Sequence, residues 1–107
     1  MSTHAHEGRF DAAGIALVPA APGAYRLWGA GGVLFVGVTR GVQTLRSELR
    51  RHWRGDFGPS TQAASHFDCL VGDTPAEIHQ LYLSLYLSSG LRDAGARRVR
   101  PNPLSGI

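Results

Sequence analysis

The sequence predicts an α+β fold: a small three-stranded, mainly antiparallel sheet flanked by two or three helices. Three observations carry this prediction. Residues 22–38 have the pattern of a β-hairpin, residues 39–54 and 74–89 have helical patterns, and a third strand-like run at residues 65–71 lies between the helices. Strands and helices in this mixed order are typical of an α+β layer architecture.

The chain is long enough for one domain and too short for two. It has 107 residues, of which 43% are hydrophobic, and a chain of this size builds a single core. We predict a flexible N-terminal lead-in over residues 1–18, the domain itself over residues 19–103, and a tail over residues 104–107. Pro19 and Pro22 favour an extended conformation over a helix in residues 11–21.

The hairpin consists of predicted strands at residues 24–28 and 33–38, separated by the tetrad GAGG. A short connection that contains glycine is a hairpin signal. Side-chain alternation puts Tyr25 and Leu27 on one face of the first strand, opposite Arg26 and Trp28. On the second strand, one face carries three residues: Val33, Phe35 and Gly37.

The first predicted helix, residues 39–54, has an apolar stripe and a basic stripe side by side. The apolar stripe contains Val42, Leu45, Leu49 and Trp53. The basic residues of this helix are Arg46, Arg50, Arg51 and Arg54. They form a ridge that could neutralise several phosphates, although arginines beside an apolar stripe also lay their stems on the edge of a core.

The second predicted helix begins after Thr74, where Thr-Pro-Ala-Glu has the spacing of a capping box with proline at the first helical position. Gly90 is the candidate stop, and residues 91–99 are the candidate third helix. Leu83 and Leu87 lie opposite the main apolar face. This helix therefore needs cover on two sides, from the sheet and from either the C-terminal segment or another protomer.

The charge of the chain favours anionic partners. The formal net charge is +3 with a pI near 9.8, and all eleven basic residues are arginines. Clustering favours nucleic acid over mere solubility. Besides the four helix arginines, the candidate contacts are Arg40, Arg97, Arg98 and Arg100.

Two short motifs resemble a known family. PGAY at residues 22–25 is followed about ten positions later by FVG at residues 35–37, and then by an arginine-bearing helix, a strand and a helix. This order resembles the GIY-YIG nuclease domain, which occurs at the start of the nuclease component of bacterial excision repair, in certain homing endonucleases and in some restriction enzymes. The resemblance covers residues 19–103.

The resemblance implies a phosphodiesterase in which a tyrosine acts near the attacking water, an arginine holds the phosphate and a glutamate holds one divalent cation. It assigns the catalytic positions to Tyr25 and Arg46. The motif positions are Gly23, Phe35 and Gly37. Magnesium or manganese would serve an active enzyme. The acidic residue of the second helix is Glu77. Its position in the capping box accounts for a glutamate there without any role in metal binding.

Departures from the family pattern shape the functional prediction. Phe35 lacks the hydroxyl of the family's tyrosine, Val38 stands where a lysine or arginine is frequent, and Tyr82 stands where the family carries its glutamate. We therefore predict a GIY-YIG-like domain that binds nucleic acid, with DNA as the preferred candidate. Its expected role is in DNA repair or processing, and its catalysis is expected to be lost or much reduced.

Two alternatives remain open. The first is an active divalent-cation-dependent endonuclease that uses Tyr25 and Arg46 with a carboxylate from elsewhere; the candidates are Glu48, Asp68 and Asp73. The second is a protein-interaction module that forms a homodimer through Leu83 and Leu87.

The remaining chemistry-bearing residues are expected to be structural. His52, His66 and His79 are expected at the surface or at the boundary of the core, and the lone cysteine, Cys69, as a small core side chain. No apolar run approaches the roughly 20 residues that cross a bilayer. The expectation is a cytoplasmic protein without a membrane partner.

Overall fold

The computed structural model describes residues 5–89 of the chain, which form an α+β domain of four strands and four helices. In chain order these are β1 (Ala5–Arg9), α1 (Ala12–Ala16), β2 (Gly23–Gly29), β3 (Gly32–Val38), α2 (Leu45–Trp53), α3 (Pro59–Gln62), β4 (His66–Val71) and α4 (Pro75–Leu87). The α+β prediction is confirmed.

The strands form one antiparallel sheet in the order β1-β4-β2-β3. The prediction of three strands is wrong, because the predicted lead-in supplies a fourth. β1 pairs with β4 from Ala5 opposite Leu70 to Arg9 opposite His66. Its pattern AHEGR has few of the β-branched and aromatic residues that signal a strand, so this pairing is set by the free edge of β4 rather than by local propensity.

The same N-terminal stretch contains α1, where the sequence predicted an extended chain. Asp11 caps this helix, since its side chain accepts a hydrogen bond from the Gly14 N–H at 2.8 Å. Pro19 and Pro22 follow the last helical residue and therefore do not oppose the helix. Ile15 is buried against the core.

The hairpin is confirmed, with strands slightly longer than predicted. Gly29 pairs with Gly32, so the loop has two residues, and Gly32 has a φ of 127° that favours glycine. A bulge lies at Leu34, because Leu27 pairs with Phe35 while Trp28 pairs with Val33. The extra residue turns Val33 to the face opposite Phe35 and Gly37, which corrects the predicted grouping of these three.

The helix α2 begins later than predicted. Thr44 is its N-cap and exchanges hydrogen bonds with Ser47 in a capping box. Val42 lies before the helix and is exposed. The buried face of α2 is Leu45, Glu48, Leu49 and His52. Trp53, predicted on the apolar stripe, is 39% exposed.

Helices cover both faces of the sheet. The helices α1, α2 and α3 cover the face that carries Tyr25 and Leu27, and α4 covers the opposite face. The first core contains Phe10, Ile15, Val18, Tyr25, Leu27, Leu45, Leu49, Ala64, Phe67 and Cys69. The second contains Ala24, Val36 and Leu85, with partly buried Val33, Val38, Leu70, Leu81, Tyr82 and Tyr86 around them.

Several C-terminal predictions fall at or beyond the end of the described residues. Thr74 is the N-cap of α4 and Pro75 its first residue, as predicted. Gly90, the candidate helix at residues 91–99 and the tail at residues 104–107 lie outside the described residues. Within residues 5–89, no helix has the length and apolar character needed to cross a membrane.

Candidate functional site

The centre of the candidate site is the hydroxyl of Tyr25, on the face of β2 that packs against α2. Tyr25 is 2% exposed. Its hydroxyl oxygen lies 2.9 Å from His52 Nε2 and 3.5 Å from Glu48 Oε1. On the far side of the imidazole, His52 Nδ1 lies 2.8 Å from Thr61 Oγ1. We call these four residues the Tyr25 cluster.

Three elements position the Tyr25 cluster. Glu48 and His52 are one helical turn apart on the buried face of α2. Thr61 comes from the short helix α3, which packs beside α2, and is one of the buried polar residues of the domain. Among the described residues, no buried side-chain nitrogen or oxygen lacks a hydrogen-bond partner. The cluster therefore satisfies its own polar groups inside the core.

Aromatic side chains enclose the imidazole of His52. Its ring centre lies 4.9 Å from that of Phe35 and 4.3 Å from that of Phe57. The rings of Tyr25 and Phe35 are 6.1 Å apart. Phe35, the motif position without a hydroxyl, thus serves as an apolar wall of the cluster. This wall reduces the access of water to Tyr25.

The two motif glycines have structural reasons in this fold. A Cβ on Gly37 would lie 2.8 Å from the Tyr25 hydroxyl oxygen and 2.7 Å from the Phe35 ring. A Cβ on Gly23 would lie 2.1 Å from the carbonyl oxygen of Leu70. The absence of a side chain at Gly37 leaves room for the Tyr25 side chain against β3, and its absence at Gly23 lets β4 pair with β2.

Burial dominates the electrostatics of the cluster. Burial, and then the nearby Glu48, raise the pKa of the Tyr25 hydroxyl well above its usual value. Burial also raises the pKa of Glu48, opposed by the positive charge of Arg51. Burial and Arg51 lower the pKa of His52 to about 4. At neutral pH the imidazole is neutral, and both of its nitrogens are hydrogen-bonded.

The cluster is a poor donor set for a divalent cation. The Glu48 carboxylate lies 3.7 Å from the Arg51 guanidinium, which opposes a second cation there. Within residues 5–89, no three histidine, cysteine or acidic side chains come together in a metal-binding arrangement. Glu77 belongs to α4, which covers the other face of the sheet from Tyr25, and its carboxylate accepts the Asp73 N–H at 2.7 Å.

The structure brings Tyr25 to Glu48 and His52, and it places Arg46 elsewhere. Arg46 Nε donates to the carbonyl oxygen of Val18 at 2.8 Å, which ties α2 to the end of α1. The polar partners of the Tyr25 hydroxyl among the described residues are Glu48 and His52.

The other helix arginines lie nearer to solvent. Arg50 and Arg54 are exposed, and Arg54 pairs with Asp56 at 3.0 Å. Arg51 is part-exposed, pairs with Asp56 at 3.8 Å, and lies with its guanidinium carbon 4.5 Å from the ring centre of Phe57. Phe57 is 42% exposed. Together with the exposed Trp53, these arginines make a basic and aromatic surface at the C-terminal end of α2.

Arg40 lies at the end of the hairpin, where it is exposed. It lines a cleft of about 540 Å³ between this end and α4, together with Asp73, His79 and Tyr82. The positive charge of Arg40 also lowers the pKa of Tyr25 and of Glu48, against the larger effect of burial. Arg97, Arg98 and Arg100, the second predicted basic cluster, lie outside the described residues.

No protein-family model, curated protein or solved structure matches this chain. The resemblance to the GIY-YIG nuclease domain therefore rests on its short motifs alone.

The sequence does not single out three members of the cluster: Glu48, His52 and Thr61. It predicts His52 at the surface or at the boundary of the core, whereas His52 is 1% exposed. It offers Glu48 as one of three candidate carboxylates, with no reason to prefer it over Asp68 and Asp73. The signal was present: Leu45, Glu48, Leu49 and His52 follow the spacing of a buried helical face, which puts two polar residues in the core. Thr61 gives no such signal, because the glycine, proline and serine content of residues 55–64 is typical of a loop.

Proposed function

We propose that this chain is a GIY-YIG-like nucleic-acid-binding domain, with DNA as the first candidate, in which catalysis is lost or much reduced. The observation that carries the proposal is the surface at the end of α2. Exposed Arg50 and Arg54 lie on the same helix as Trp53, and the Arg51 guanidinium stacks on Phe57. Arginines beside exposed aromatic rings match the chemistry of phosphates and bases along a single strand.

The ion pairs on this surface are compatible with phosphate binding. Asp56 pairs with Arg51 and Arg54, and all three side chains are more than a third exposed. Exposed pairs of this kind contribute only about 0–1 kcal/mol. A phosphate can therefore replace Asp56 at small cost. With three to four phosphate contacts, the logarithm of the affinity should fall with the logarithm of the salt concentration with a slope of about −2 to −4.

Reduced catalysis is supported by the environment of Tyr25. A tyrosine that acts as a base needs access to water and a lowered pKa. Tyr25 is buried, its pKa is raised, and its hydroxyl is already bonded to His52. Glu48 adds a negative charge next to the place where a scissile phosphate would have to lie. These features suit a structural role better than a catalytic one.

Fluorescence anisotropy with labelled single-stranded DNA, duplex DNA and RNA tests the binding proposal. We expect salt-sensitive binding that weakens at least about tenfold in an Arg50→Ala, Arg54→Ala double variant, with a salt slope smaller by about 1.5 to 2. Arg9→Ala is the matched control, because Arg9 is exposed at the end of β1; it should change the affinity less than twofold. Binding that is insensitive to salt, or equal losses in all variants, would contradict the proposal.

An active divalent-cation-dependent endonuclease is the second candidate, favoured by one observation: a phenol, an imidazole and a carboxylate meet within hydrogen-bonding distance. Incubation with branched, nicked and single-stranded DNA plus magnesium or manganese separates the two. We expect no cleavage above background. Cleavage that disappears in Tyr25→Phe would establish the active enzyme and refute the loss of catalysis, while leaving the binding surface intact.

A further inference from the structure

The helix α4 has more apolar surface than the sheet covers. Of its seven large apolar residues, only Leu85 is buried. The other six are part-buried or exposed: Ile78, Leu81, Tyr82, Leu83, Tyr86 and Leu87. Leu87 is 58% exposed. From Ile78 to Ser89 the sequence has no acidic residue and no arginine or lysine, so this helix is a poor partner for nucleic acid.

The strand β3 presents a similar surface beside α4. Among the described residues, β3 pairs only with β2 and is an edge of the sheet. The sequence has no charged residue from Leu27 to Thr39. The opposite edge, β1, carries Glu7 and Arg9, which are charges of the kind that protect an edge strand from pairing. β3 lacks this protection.

The exposed flank of α4 faces the β3 side. Ile78 and Leu81 lie within contact distance of Gly72 at the end of β4, so the flank of Leu81 faces β4. Helical geometry puts Tyr82, Leu83 and Tyr86 on the other flank, and the rings of Tyr82 and Tyr86 stack there at 5.9 Å. We call the edge of β3 with Val33, Tyr82, Leu83 and Tyr86 the β3–α4 surface.

Both ends of the described chain lie away from this surface. Arg26 holds the last turn of α4: its Nη1 donates to the Leu85 carbonyl and to the hydroxyls of Ser88 and Ser89. The same guanidinium pairs with Asp68 of β4. These hydrogen bonds therefore hold Ser89 on the side of β2 that faces β4. At the other end, Ala5 begins β1, three strand spacings or about 14 Å from β3.

We propose that the β3–α4 surface is covered by a second copy of this chain. An antiparallel pairing of the two β3 edges about a twofold axis would join the two sheets into one of eight strands. It would satisfy the free backbone groups of both edges and place the two α4 helices side by side on the same face. A surface without charge is complementary to itself, whereas the residues beyond 89 include four arginines among eighteen and suit a different partner.

Sedimentation velocity over a range of protein concentrations tests this proposal. We expect the mass to rise from 11.5 kDa to twice that value, with little dependence on salt because the surface is uncharged. Leu83→Glu should weaken the association at least about tenfold. Leu17→Glu is the matched control, because Leu17 is 83% exposed on the other side of the sheet next to α1; it should leave the association unchanged.

Site-specific crosslinking provides a second test that does not depend on destabilising the surface. The native Cys69 is buried, so a new surface cysteine reacts alone. With a short bis-maleimide, Leu83→Cys and Tyr86→Cys should give crosslinked dimers and Leu17→Cys should not. Circular dichroism spectra of the variants verify that each is folded.

A chain that stays monomeric at millimolar concentration refutes the proposal. Equal effects of Leu83→Glu and Leu17→Glu, or crosslinking at all three positions, refute the assigned surface. Dimerisation and nucleic-acid binding use different surfaces: Leu83→Glu should retain the DNA affinity of each protomer, and the Arg50, Arg54 double variant should retain dimerisation.

Discussion

The buried imidazole of His52 predicts a specific loss of stability in acid. Its pKa is lowered to about 4 in the folded protein, whereas a histidine in an unfolded chain titrates near 6.5. Between these values the unfolded chain binds a proton that the folded protein does not. The contribution of the neutral His52 to the free energy of unfolding is therefore fully present above pH 6.5 and declines as the pH falls toward 4. The difference of about 2.5 pKa units corresponds to about 3 kcal/mol at full effect.

Urea unfolding followed by circular dichroism between pH 7.5 and pH 4.5 measures this loss. Glu48 acts in the opposite direction, because its raised pKa makes the folded protein take up a proton first as the pH falls. The comparison with His52→Gln isolates the imidazole, since both proteins keep Glu48. We expect the stability gap between wild type and variant to shrink by about 2 to 3 kcal/mol over this range.

The exposed histidine His79 provides the control for the His52 measurement. His79→Gln removes an exposed histidine of α4 and should change stability by less than about 0.5 kcal/mol throughout. An NMR titration of wild type should show the His52 ring shifting only below pH 5. A His52 titration near pH 6.5, or a constant gap between wild type and His52→Gln, would show that the imidazole is not confined as the structure indicates.

Three further predictions concern stability, each measured by urea unfolding. Tyr25→Phe leaves buried His52 Nε2 without its partner and should cost about 1–3 kcal/mol; no loss would show that the hydroxyl bond contributes nothing. Gly37→Ala forces a methyl group against the Tyr25 hydroxyl and should cost about 1–3 kcal/mol, whereas Gly31→Ala, with open space around it, should be nearly neutral; equal effects would contradict the packing. Asp68→Ala removes the paired carboxylate from Arg26 and should cost about 2 kcal/mol; a neutral result would mean that the ion pair is not needed to hold α4.

The parts of the fold that sequence predicted are those with strong local signals. The glycine-rich loop between two β-branched strands predicted the hairpin, and Thr74 followed by Pro75 predicted the start of α4. The parts that it missed are set by distant partners. β1 is a strand because β4 offers a free edge, and the bulge at Leu34 becomes visible only when the register of β2 and β3 is known.

The candidate site shows the same division. The motif pointed to Tyr25, and the structure puts Tyr25 at the centre of the buried cluster. Its partners could not be chosen from sequence, because placing the apolar stripe of α2 on Val42 rotated the helix away from Glu48 and His52. A helix that starts at Leu45 brings both residues to the core side. The start of α2 therefore decides which residues share the site with the tyrosine.

This rotation also separates binding from chemistry on α2. The face that meets Tyr25 carries Glu48, whose negative charge would oppose a phosphate, while Arg50 and Arg54 point to solvent on the same helix. A nuclease needs its positive groups and its reactive hydroxyl to meet at one phosphate. Here the hydroxyl is held inside the core with a neutral imidazole, and the arginines are available outside it. One helix can thus stabilise the domain through one face and bind an anionic strand through the other, without bringing that strand to Tyr25.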